Sequence, residues 1–141
     1  MYWGVQKQNF TISGTRTVAS TDGWTSRQFN NYHHKGVRIV VDRISETGTA
    51  TLNAKLQYLN KVTAEWIDLE GAAFPEWADG TSEPRALTVY PGITAADADA
   101  NIALDTDNDQ LCGQYLPANW RLSVTTTGTT NVISIAGTYL P

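Results

Sequence analysis

Between Thr49 and Leu59 the chain alternates: Ala50, Leu52, Ala54, Leu56 and Tyr58 carry the apolar side chains, and Thr51, Asn53, Lys55 and Gln57 the polar ones. A period of two puts these sets on opposite faces of an extended backbone, which predicts a β-strand with one face on a core and the other toward solvent. A half-buried strand cannot stand alone. It needs hydrogen-bonded neighbours in its own sheet and a second layer over its apolar face.

Further segments supply those neighbours. Val37, Ile39 and Val41 share one face of a strand from Gly36 to Ile44, with Val40 and Ile44 opposite, beside Arg38 and Asp42. Ser45-Glu46-Thr47-Gly48 then offers a glycine able to take positive φ, which predicts a hairpin into the alternating segment. Phe10, Ile12 and Val18 mark a first strand, with Gly14 as a bulge. Trp120, Leu122 and Val124 mark another, and Thr127-Gly128 predicts a closing hairpin into Val132 to Tyr139. Two shorter strands, Ala64 to Leu69 and Ala86 to Tyr90, stop at Gly71 and at Pro91-Gly92. Six or seven short strands without an amphipathic helix predict an all-β chain, an antiparallel β-sandwich of jelly-roll or immunoglobulin-like kind, with a small barrel as the alternative. At 141 residues the chain fits one domain, residues 1–141, with residues 1–8 as an amino-terminal arm. Thr94 to Leu104 reads mostly as loop because its aspartates and asparagine favour caps and turns. The irregular stretches Gly71 to Glu83 and Thr94 to Pro117 are where function is expected.

Charge narrows the partners. Ten Lys and Arg against fourteen Asp and Glu leave a formal charge of -4, with a pI near 5.0. No electrostatic footprint for duplex DNA or an anionic membrane is present, so neither is expected as a partner. No apolar run approaches the roughly 20 residues that span a bilayer, and the start lacks the charged head and apolar middle of a signal peptide. The expectation is a soluble protein made in the cytoplasm. Cys112 is the single cysteine, so no internal disulfide is available and stability must come from packing.

The candidates for chemistry are incomplete. Asp97, Asp99, Asp105, Asp107 and Asp109 could offer oxygen ligands to calcium, but an EF-hand loop starting at Asp105 would want glycine where Gln110 stands and glutamate where Leu116 stands. His33 and His34 are adjacent, so on a strand they point to opposite faces and do not share a metal. No Gly-x-Ser-x-Gly elbow and no phosphate-cradling glycine loop occurs. Cys112 beside Gly113 reads as a small apolar filler in a loop. Glu65, Glu70, Glu76 and Glu83 could supply a hydrolytic carboxylate pair only if the fold sets their separation. The expectation is therefore no enzyme, no cofactor and no metal site.

The aromatics say more. Trp66 and Trp120 occupy strand positions and are expected in the core. Tyr2, Trp3, Trp24, Phe74 and Trp77 lie outside the confident strands. Some could pack back over the ends of the sandwich; alternatively they form a partner-binding surface, with Tyr2-Trp3 reaching a neighbour. A third reading is a platform for sugar rings, motivated by Trp24, Trp77 and Tyr115.

Arg85-Ala86-Leu87-Thr88-Val89-Tyr90-Pro91-Gly92-Ile93 and Leu116-Pro117-Ala118-Asn119-Trp120-Arg121-Leu122-Ser123-Val124 resemble a group of small structural proteins of tailed bacteriophages. Gly36 to Asp42, Gly48 to Leu52 and Ile67 to Ala72 are similar in order and spacing, so the resemblance spans roughly residues 36 to 139. It implies a virion β-sandwich, with a capsid decoration (cement) protein first and tail or head–tail proteins as rivals. The partners it implies are the major capsid protein and further copies of this chain, as a trimer or dimer. Asp97 to Gln114 is longer than in that pattern, and no binding residue is carried over from the resemblance.

Overall fold

In the computed structural model, residues 8–19, 23–94 and 107–141 are described. Among them are ten strands: β1 Gln8–Ala19, β2 Trp24–Thr25, β3 Phe29–Asn30, β4 Gly36–Thr47, β5 Thr51–Asn60, β6 Glu65–Ala73, β7 Arg85–Val89, β8 Asp109–Cys112, β9 Asn119–Thr127 and β10 Thr130–Leu140. They form two sheets, ordered β1-β10-β4-β7-β8 and β2-β9-β5-β6, with β3 also paired to β9. All pairings are antiparallel except β7 with β8, which run parallel. The fold is an all-β sandwich, as the sequence predicts.

The core lies where the alternation places it. Val37, Ile39 and Val41 of β4 and Ile133 and Ile135 of β10 face Leu52 and Leu56 of β5 and Trp120, Leu122 and Val124 of β9, all essentially without solvent contact. Fully burying each aliphatic side chain stabilises the fold by about 1.5–3 kcal/mol relative to leaving it exposed. In β1 the pairing with β10 shifts register between Thr11 and Ser13 and again before Arg16, so a bulge does sit around Gly14. Phe10 lies across from Gly137, and its ring fills the space a side chain there would need.

Both predicted hairpins are corrected. β4 and β5 belong to different sheets, and so do β9 and β10. Each connection is an arch across one end of the sandwich, and the two arches lie side by side: a Cβ on Gly128 would stand 1.8 Å from the Thr49 carbonyl oxygen. Thr51 and Thr127 share a hydroxyl hydrogen bond across them. An apolar alternation on both sides of a glycine turn suits a hairpin and an arch equally, because each element keeps one apolar face on the same core.

Buried Arg43 holds this end together. On β4 it follows Val37, Ile39 and Val41 on the inward face and is 3% exposed. Its Nε donates to Oδ1 of Asn131 at 2.6 Å, Nη1 to the carbonyls of Ala78 and Thr81 at 2.8 Å each, and Nη2 to the Ala50 carbonyl at 2.7 Å and to Glu46. Glu46 in turn accepts from the Gly80 amide at 2.7 Å. A guanidinium has five N–H donors and no acceptor, so this arrangement uses the whole group. It ties the first arch and β10 to the loop between β6 and β7.

Candidate functional site

The five aromatics expected at a partner surface go to three places. Tyr2 and Trp3 lie outside the described residues. Phe74 and Trp77 are corrected: they are 5% and 0% exposed, respectively, and belong to the core. An isolated bridge of Trp77 with Leu52, bonded in both directions at 2.9 and 3.0 Å, draws the irregular segment onto β5, and the Trp77 indole N–H donates to the Glu83 carbonyl at 2.8 Å. Trp24 is half-buried on β2, with the Arg16 guanidinium 4.7 Å above its ring. Trp66, expected in the core, stands half-buried on the outer face instead. It lies opposite Leu59 in the register and beneath Arg121, whose guanidinium is 4.4 Å from the ring.

The polar candidates are engaged in the fold. Cys112 is on β8 rather than in a loop; it is 2% exposed, its Sγ lies 3.3 Å from the Glu70 carbonyl oxygen, and burial raises its thiol pKa. That is the behaviour of a core filler, since the thiolate is the reactive form. Asp97, Asp99 and Asp105 lie outside the described residues, and Asp109 faces Arg38 at 3.5 Å. Among the described residues no group of three or more His, Cys, Asp or Glu could hold a metal ion. Glu65, Glu70 and Glu76 are exposed, and Glu83 accepts from Asn108 at 2.8 Å. On the outer face of the second sheet, Lys55 and Gln57 both donate to Asp68, at 2.7 and 2.8 Å, and Arg121 donates to Gln57 at 2.9 Å. These two donors hold the Asp68 carboxyl below its ordinary value.

One end of the sandwich is built differently. The start of β4, the ends of β7, β8 and β10, and the start of β1 all meet there: Gln8 pairs with Tyr139, and the Lys35 amide donates to the Leu140 carbonyl at 3.1 Å. His34, Lys35, Tyr90, Pro91, Tyr115 and Leu116 line a recess of about 410 Å³. Asn31 shapes one wall. Its Oδ1 accepts from the His34 amide at 3.0 Å, and its Nδ2 donates to the His34 carbonyl at 2.8 Å, closing a turn that leaves Tyr32 and His33 exposed. The opposite wall is fixed by the Tyr90 amide on the Cys112 carbonyl at 3.0 Å and the Gly92 amide on the Gly113 carbonyl at 2.9 Å.

Beneath the recess lies an aromatic stack. The His34 ring lies 4.4 Å from Tyr139 at 12°, and Phe10 lies 4.5 Å from Tyr139 at 19°. Burial, and secondarily the neighbouring His33, lowers the His34 pKa, while burial raises that of Tyr139. The sequence separates the two histidines as metal ligands but does not reveal the recess, because its walls come from three segments far apart in the chain. Tyr115, 81% exposed, was the one signal available.

No protein-family model matches the chain, and no curated protein does. Solved structures match in fold. The SPBc2 prophage-derived protein YomS is similar over 95% of this chain and 92% of its own, at 13% identity and a TM-score of 0.47. VP2 of infectious bursal disease virus, in a subviral particle, is similar over 96% of this chain at 10% identity and a TM-score of 0.48. The chain spans about a third of that protein, the covered share being 32%. The CBM22-1-GH10 modules of Clostridium thermocellum xylanase 10B are similar over 96% of this chain and 26% of theirs, at 13% identity and a TM-score of 0.44. At these identities and TM-scores the likeness is one of overall β-sandwich fold and carries no role over to this chain.

Proposed function

We propose that this chain is a non-enzymatic structural protein of a tailed-bacteriophage virion that binds the outer capsid surface as a decoration protein and stabilises the shell. The observation that carries this reading is β1. It is a twelve-residue strand at the margin of its sheet, so one backbone edge has no strand neighbour among the described residues. From Gln8 it leads directly into the segment that contains Tyr2 and Trp3. A free edge supplies main-chain hydrogen bonds to a partner, and aromatic side chains supply the area that anchors an interface. The sequence resemblance to small phage structural proteins points the same way. On this reading the partners are the major capsid protein and further copies of the chain, and shell binding stabilises the particle by mass action. The acidic charge of -4 suits a basic shell surface and disfavours packaged DNA.

The test is co-sedimentation of the purified protein with capsids of the phage that encodes it. The full chain is expected to pellet with capsids, and a protein lacking residues 1–7 to bind at least tenfold more weakly. Equal binding by both would remove the arm from the account. Absence of binding by the full chain would overturn the reading.

A further inference from the structure

The recess at the end of the sandwich carries ligand chemistry that a capsid contact through β1 does not use. We infer that it binds a pyranose saccharide between the walls formed by Tyr90, Pro91 and Tyr115 on one side and His34 and Lys35 on the other. A pyranose ring presents an apolar C–H face and a rim of hydroxyls, so it needs a flat aromatic surface together with fixed polar groups.

Both are present. Among the described residues only two aromatic side chains are strongly exposed, Tyr32 at 74% and Tyr115 at 81%. Tyr115 lines the recess and Tyr32 stands two residues before His34 at its rim. Tyrosine suits such a surface, since one end is apolar and the other carries a hydroxyl that both donates and accepts. Lys35, exposed at the same rim, brings three donors and no acceptor. His34 lines the recess, and stacking on Tyr139 fixes its ring plane.

Rigidity favours a ligand. The Asn31 bracket and the backbone bonds joining the ends of β7 and β8 set both walls before anything binds, so little ordering cost remains for the protein. The volume of about 410 Å³ lies within the range of roughly 300–1,000 Å³ typical of small-molecule sites. The outer face of the second sheet is a poorer candidate: its Lys55, Asp68, Gln57 and Arg121 are bonded to one another, and Arg121 covers the Trp66 ring.

This inference is independent of the capsid reading, and its test uses no capsid. The full chain is applied to an immobilised array of neutral and acidic glycans, and hits are quantified by calorimetry with the free oligosaccharide. Binding of at least one saccharide is expected, weakened tenfold or more by Tyr115→Ala and by Lys35→Ala and unchanged by Trp24→Ala, with circular dichroism showing all variants folded. A protein lacking residues 1–7 is run alongside, because that segment leaves β1 at the same end; binding seen only after its removal supports the site. No binding by either protein up to millimolar saccharide, or binding that survives both substitutions, would overturn the inference.

Discussion

Arg43 donates from Nε to Oδ1 of Asn131 at 2.6 Å, joining β4 to β10 inside the sandwich across 88 residues of sequence. Asn131 is itself fully buried and also donates to Thr126 of β9, so the pair spans both sheets. Arg43→Leu would leave the carbonyls of Ala50, Ala78 and Thr81 and the Asn131 oxygen without this donor. The expected loss is about 3–5 kcal/mol, as for breaking a buried ionic network from one side. Urea denaturation with an unchanged m-value checks it; a loss under about 1 kcal/mol, the scale of an exposed pair, would show that the network contributes little.

The close packing of the two arches rests on Gly128. Its φ is 94°, and a Cβ there would meet the Thr49 carbonyl oxygen at 1.8 Å, whereas Gly80, with φ of 81°, has nothing within 4 Å. Gly80→Ala should cost only the left-handed conformation, roughly 1–2 kcal/mol. Gly128→Ala carries that cost plus the displacement of an arch, and thermal melts should separate the two. Equal melting temperatures would mean that the arches are not packed this closely.

Burial divides the aromatics into two classes. Trp77→Ala should destabilise by about 3–5 kcal/mol, as a large core truncation does. Tyr115→Ala, at an exposed position, should stay within about 0.5 kcal/mol of the parent. Chemical denaturation of both variants decides whether Trp77 is core or surface.

Acid should weaken the recess end through His34. Its pKa is lowered in the folded chain, so the unfolded chain takes the proton first as pH falls past the ordinary value of 6.5. Stability is therefore complete above that pH, declines as pH falls toward the lowered folded value, and is flat below it as far as this group is concerned. Asp68 acts in a lower window: its depressed pKa gives stability that is lost only as pH falls below the ordinary carboxylate value of 3.8 toward its folded value. Melting curves at pH 7.5, 6.5 and 5.5 should show the decline in the parent and a smaller one in His34→Phe, which keeps an aromatic ring against Tyr139. An identical decline in both would place the pH dependence elsewhere.

The strands of the sandwich were legible because period-two alternation is local: β4, β5, β9 and β10 announce their inward faces residue by residue. Which strands pair was not legible, since Gly48 and Gly128 suit a turn within a sheet or an arch between sheets equally. Trp66 and Trp77 exchanged their expected places for separate reasons. Trp66 shares the outward parity of Leu59, its register partner, and no periodic signal marks Trp77, which is drawn inward by one bridge to Leu52. Arg43 had inward parity in plain sight, but nothing in the sequence shows the carbonyls that would receive it. β8 is four residues inside a stretch read as irregular, too short for alternation to register.

The central claim is that this protein belongs to a virion shell. Its copy number in purified particles, measured by quantitative mass spectrometry against the major shell protein, tests that most directly. The account predicts a number comparable to that of the shell subunit, and complete absence from purified virions would contradict it.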